Sequence, residues 1–134
     1  MPPIHERALL DTSVVIEFPP DAVALNTSSG AVCTITLAEL AYGLHTVDPL
    51  VNAAREQRYQ WIVNTFNPIP FDAGAARAYG ALCASVRLAG RDPKPRRFDL
   101  LIAAVAVAAG IPLITRNPGD FRDIHRSLTV IAIT

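Results

Sequence analysis

Short apolar runs alternate along this chain with segments of helical pattern, and that order restricts the fold more than any single motif. Residues 8–11, 31–34, 113–115 and 128–133 read as strands, the last at an edge. Residues 67–71 read as a short strand whose prolines, Pro68 and Pro70, confine it to an edge or a strand start. A short helix follows Asp11 and is disturbed by Pro19-Pro20, and residues 26–30 form a polar turn. In 36–45, Leu37, Leu40, Ala41 and Leu44 recur at helical spacing, and 49–66 is a longer helix with Pro49 in its first turn. Helices are also expected at 72–88, 98–109 and 118–125, with a basic loop over 89–97. The 98–109 segment is almost wholly apolar, so it belongs in the interior, and Gly110 closes it. Strands that alternate with helices imply a parallel sheet with right-handed crossovers.

Ligands of such sheets bind outside the carboxyl ends of the strands. Acidic or amide residues stand at each handover from strand to helix: Asp11, Glu39, Asp99, and Asn117 with Asp120. Gathered at one sheet edge, their oxygens would form a site for Mg²⁺ or Mn²⁺. Each position also has a local explanation. Asp11 is a favoured N-cap, and Thr36-Leu37-Ala38-Glu39 matches a capping box. Asn117 suits an N-cap with Pro118 at N1 and Asp120 at N3. Asp99 would gain from the helix dipole, yet it heads a buried, nearly uncharged helix and so needs a partner or a metal.

The 134 residues suit one domain, 1–134, and at 51% hydrophobic they can bury a sizeable core. Formal net charge is zero, which excludes a global nucleic-acid footprint. A local one exists: Arg87, Arg91, Lys94, Arg96 and Arg97 cluster with only Asp92 among them. Two cysteines without metal spacing, and no signal-type apolar core at the start, point to a reduced, cytoplasmic setting. The apolar run 100–114 is too short to cross a bilayer. His5, His45 and His125 share no ligand spacing, and no phosphate-cradling glycine loop is present.

Leu10-Asp11-Thr12-Ser13-Val14, Thr36-Leu37-Ala38-Glu39-Leu40, Asp99-Leu100-Leu101-Ile102-Ala103-Ala104 and Thr115-Arg116-Asn117-Pro118-Gly119-Asp120-Phe121 together resemble the PIN-domain family, specifically its VapC-like toxin ribonucleases. The resemblance implies a three-layer α/β/α domain with a mainly parallel, Rossmann-like sheet of four to five strands. It implies a metal-dependent endoribonuclease that cuts tRNA or rRNA and is silenced by a cognate VapB-like antitoxin. Asp11, Glu39 and Asp99 then correspond to the acidic metal site. Asn117 stands where relatives have Asp, and Asp120 is the carboxylate that could replace it. Ser13 and Thr115 become supporting hydroxyls.

On this reading Asp11 and Asp99 bind Mg²⁺ or Mn²⁺, and Glu39 and Asp120 hold its waters. Arg91, Lys94, Arg96, Arg97 and Arg116 contact the RNA backbone. Tyr59, Trp61, Ile62 and Phe66 suggest a homodimer, with the antitoxin in a groove between the 36–45 and 49–66 helices. Two other readings remain at this point. One is a non-catalytic binding module, supported by Asn117. The other is an aspartate-based phosphotransfer domain, disfavoured by Ser13 two residues after Asp11.

Overall fold

The computed structural model describes residues 5–134. Its sheet has four parallel strands in the order β2-β1-β3-β4: β1 (His5–Leu10), β2 (Thr27–Ala31), β3 (Leu113–Thr115) and β4 (Val130–Ala132). The helices are α1 (Thr12–Ile16), α2 (Pro20–Asn26), α3 (Thr34–Tyr42), α4 (Pro49–Thr65), α5 (Ala73–Leu88) and α6 (Arg97–Ala109). Two 3₁₀ turns, Lys94–Arg96 and Pro118–Phe121, complete the pattern.

Successive strand residues face opposite ways, so each strand feeds two cores. Leu9, Ala31 and Leu113 are paired across the sheet and pack under α5 and α6 with Leu100, Ile102 and Leu82. Ala8, Leu10 and Ile114 face the other way, onto Val14, Val15, Val23, Ile62 and Phe66. The three-layer α/β/α arrangement expected from the sequence is therefore present. Helix α6 contributes Ala103, Ala104 and Ala106, all fully buried, and their small side chains let it lie close to α5. Gly110 ends α6 with φ +67°, a left-handed conformation that glycine adopts without strain. The following turn brings the Pro112 carbonyl to the Leu9 amide at 2.8 Å, which starts the β1–β3 pairing.

Several local expectations are corrected. Residues 27–31 form strand β2 rather than a polar turn, because pairing to β1 overrides turn propensity and the Thr27 hydroxyl is satisfied by the Ser29 carbonyl at 3.0 Å. Residues 32–34 leave the sheet, and α3 begins at Thr34. The expected strand 67–71 shrinks to one parallel bridge, Cys33 to Ile69, since Pro68 and Pro70 cannot donate to a longer ladder. Pro19-Pro20 divides the first helix in two, with Pro20 opening α2. The last short helix stops at Phe121, and Asp123 has φ +74°.

Ile62 and Phe66 belong to the core, which removes them from the apolar surplus on α4. Trp61 remains 44% exposed, edge-on to Phe66 and tilted against Phe18. Both cysteines are free and buried. No helix among the described residues is long and apolar enough to cross a membrane.

Phe121 is 1% exposed and pins the turn after β3 into the α5–α6 core. Phe121→Ala is expected to lower unfolding free energy by roughly 3–5 kcal/mol, measured by urea denaturation. A loss below about 1 kcal/mol would mean that the turn is held by something else.

Candidate functional site

Asp11 follows the last residue of β1, and its amide donates to the Ile114 carbonyl at 2.9 Å, so the sheet itself fixes its main chain. Its side chain is 5% exposed and accepts three hydrogen bonds. The Thr12 amide donates to Oδ1 at 2.9 Å; the Ser13 and Thr115 hydroxyls donate to Oδ2 at 2.9 and 2.7 Å. Ser13 Oγ in turn accepts from the Arg116 amide, and Thr115 Oγ1 from the Asn117 amide. Each hydroxyl thus gives its proton to Asp11 and takes one from the turn after β3.

A second relay holds Glu39. Thr12 Oγ1 donates to Glu39 Oε1 at 2.8 Å, and it lies 3.0 Å from Thr36 Oγ1. A hydroxyl has one proton, so Thr36 must donate to Thr12. The capping box expected at 36–39 does not form: Cys33 is the N-cap of α3, and Thr36, fully buried, sits a turn inside the helix. Burial pushes the Glu39 carboxyl up, the Thr12 hydrogen bond opposes this, and the charge on Asp11 adds to the rise.

Asp99 occupies the first turn of α6, half-buried. Its pKa is pushed up to about 6, first by burial and then by the charges of Asp11, Asp120 and Glu39; Arg96 pulls the other way. Asp11, Glu39 and Asp120, from three other segments, therefore lie within electrostatic reach of Asp99 beside the carboxyl ends of β1 and β3, the crevice where the strand order reverses. Asn117 is exposed and its side chain does not cap the turn that follows. Asp120 lies in that turn, its amide bonded to the Asn117 carbonyl at 3.0 Å.

The donor set is oxygen only, the chemistry of a hard dication. No three acidic, histidine or cysteine groups among the described residues converge closely enough to enclose an ion by themselves. Mg²⁺ fits such a site, since it keeps several waters and takes one or two carboxylates directly.

The basic residues divide. Arg91 pairs with Asp123 at 3.0 Å, and Arg96 Nη1 donates to the Gly119 carbonyl at 2.6 Å. Arg116 directs Nε to the Ser13 carbonyl, Nη2 to Glu17 and Nη1 to Thr134. These three donors hold the turn after β3 against the end of α1. Lys94 and Arg97 remain exposed. Thr12 and Thr36 are the site residues that sequence reasoning missed; Thr36, one helical turn before Glu39, was the available signal.

A family profile described as PIN domain matches residues 8–126. Ribonuclease VapC4 of Mycobacterium tuberculosis is 36% identical over 118 residues, 83% of this chain and 86% of that protein. The chain belongs to the PIN-domain family, among its VapC-like members. The tRNA(fMet)-specific endonuclease VapC of Shigella flexneri is 30% identical over 126 residues, 88% of this PIN-domain chain and 92% of that protein. A solved member of the VapBC family of toxin-antitoxin systems, VapBC-5 from Mycobacterium tuberculosis, superposes with a TM-score of 0.77 at 29% identity, covering 95% of this chain and 98% of that one.

In the metal-free PIN domain, Asp99 binds a proton more readily than in the unfolded chain. The stability linked to that proton is fully present below pH 3.8 and is lost as pH rises through about 6. Asp99→Asn is therefore expected to raise the Tm of EDTA-treated protein at about pH 7.5, with the gain vanishing towards about pH 4. Identical melting of the two proteins at the higher pH would mean that neither burial nor the neighbouring charges penalise ionised Asp99.

Proposed function

We propose that this chain is a metal-dependent endoribonuclease toxin that cuts structured RNA such as tRNA or rRNA and is neutralised by a VapB-like antitoxin. The observation that carries the reading is the four-carboxylate cluster around Asp99 at the strand ends. The relatives support it: two are named ribonuclease and tRNA endonuclease, and the solved relative belongs to a toxin-antitoxin system.

Asp11 and Asp99 would hold the cation directly, with Glu39 and Asp120 reaching it through water. When bound, Mg²⁺ or Mn²⁺ supplies Lewis-acid stabilisation of the charge that builds on the phosphodiester oxygens. The chain's own groups do the rest. Asp11, fixed by three donors, gives one oxygen position that does not wander. Glu39, held by Thr12 and with raised proton affinity, is placed to orient a water and accept its proton. Lys94 and Arg97 bind phosphates on the flanking backbone. Sequence-specific RNA recognition reads mainly unpaired loops, so a folded RNA with an exposed loop suits the site.

Asn117, a neutral oxygen in a carboxylate position, favours the second reading of a binding module without cleavage. One experiment separates the two. Antitoxin-free protein is incubated with total tRNA and rRNA under Mg²⁺, Mn²⁺ or EDTA, beside Asp11→Ala and Asp99→Ala. Discrete fragments are expected with metal, none with EDTA, and a loss of roughly a hundredfold or more in rate for each variant. Circular dichroism checks that the variants remain folded. Absence of cleavage by folded, metal-supplied protein would leave the binding module.

A further inference from the structure

Two large aromatic side chains stand in solvent beside the carboxylate cluster. Tyr42 is 90% exposed and Phe98 is 53% exposed. With Ala38 and Glu39 they line a cleft of about 560 Å³ between α3 and the start of α6. Tyr42 follows Glu39 by three residues, so the two share one face of α3, and Phe98 immediately precedes Asp99. Both site carboxylates are thus chained by local helical geometry to an exposed ring. Neither ring belongs to a hydrophobic core.

We infer that Tyr42 and Phe98 form a stacking platform for an unpaired nucleobase of the substrate, next to the phosphate that is cut. The inference rests on the nuclease reading above. Glu39 is at once a wall of the cleft and a group of the site, so an occupant of the cleft lies within reach of the reacting phosphate. Flat rings suit a nucleobase because every base offers a π face, whatever its hydrogen-bonding pattern. Charge placement agrees: acids needing a bridging cation lie on one side, and exposed Arg97, adjoining Phe98, can take the next phosphate. A wholly apolar partner helix laid on the two rings would leave the Glu39 carboxylate desolvated and unpaired.

Leucine distinguishes the two occupants, because it keeps apolar bulk and removes the π face. The test uses a short single-stranded RNA carrying 2-aminopurine, whose fluorescence is quenched by stacking. It is titrated onto protein with Asp99→Asn, which blocks cleavage. Quenching is expected in that background and with Tyr42→Phe or Phe98→Tyr added. Adding Tyr42→Leu or Phe98→Leu is expected to abolish quenching and weaken binding by about tenfold or more. In the otherwise native protein, the same leucine changes should slow tRNA cleavage while melting is unchanged.

Quenching and affinity unaltered by leucine would overturn the platform and make the cleft an apolar docking face for a protein partner. That outcome leaves cleavage by the native protein intact. Failure of the nuclease reading looks different: native protein cuts no RNA under any metal, and the platform falls with it.

Discussion

A hydrogen bond of 2.7 Å from Thr115 to Asp11 joins residues 104 positions apart, and the site depends on it. Thr115 ends β3 and Asp11 follows β1, and the two strands are neighbours only because α6 returns the chain parallel to its start. The bond is therefore a report on the whole crossover. Register matters as much as adjacency. Leu9 opposes Leu113 and Leu10 opposes Ile114, and this alignment carries both strands to the same end. A slip of one residue would exchange the two cores and turn Thr115 away from Asp11.

The cluster is costly to the fold that carries it. Burial is the first reason that Asp99 resists ionisation, and the charges of Asp11, Asp120 and Glu39 add to it. What offsets this is apolar: α6 places Leu100, Ile102, Ala103, Ala104, Val105 and Ala106 in the interior directly behind Asp99. Removing a large apolar side chain from water contributes about 1.5–3 kcal/mol. The uncharged body of α6 and the strained acid at its head are thus parts of one arrangement, in which packing energy holds a charge where solvent would not.

The parts of the fold visible in sequence are those where packing and local preference agree. Helix α6 and its Gly110 stop, the short apolar strand β3, and the Pro49 start of α4 are all found where their patterns put them. The failures share a cause. Residues 27–31 look like a turn because Thr, Ser and Gly favour turns, yet β1 recruits them as its partner. Thr36-Leu37-Ala38-Glu39 satisfies a local rule, but both polar side chains turn to Thr12, twenty-four residues earlier than Thr36. At Arg116 the sequence shows a cation beside the site, and its three carbonyl partners are invisible without the tertiary fold. Charge type was legible at these positions, and direction was not.

The supports of the carboxylates are of one chemical kind. Thr12, Ser13 and Thr115 donate to Asp11 or Glu39, and Thr36 donates to Thr12, all through neutral hydroxyls or, at Thr12, also a main-chain amide. Arg96 acts on Asp99 through space while its Nη1 donates to the Gly119 carbonyl, and Arg116 donates to three other carbonyls, so neither hydrogen-bonds a site carboxylate. An arginine paired with Asp11 would fix the carboxylate equally well, but it would cancel its charge. Hydroxyls orient without neutralising. They leave Asp11 and Glu39 without a hydrogen-bonded cation, which is what the proposed binding of a dication would require. A shell of threonines and serines thus fixes the oxygens of Asp11 and Glu39 and keeps their charge, the two conditions that the proposed metal-dependent reaction sets.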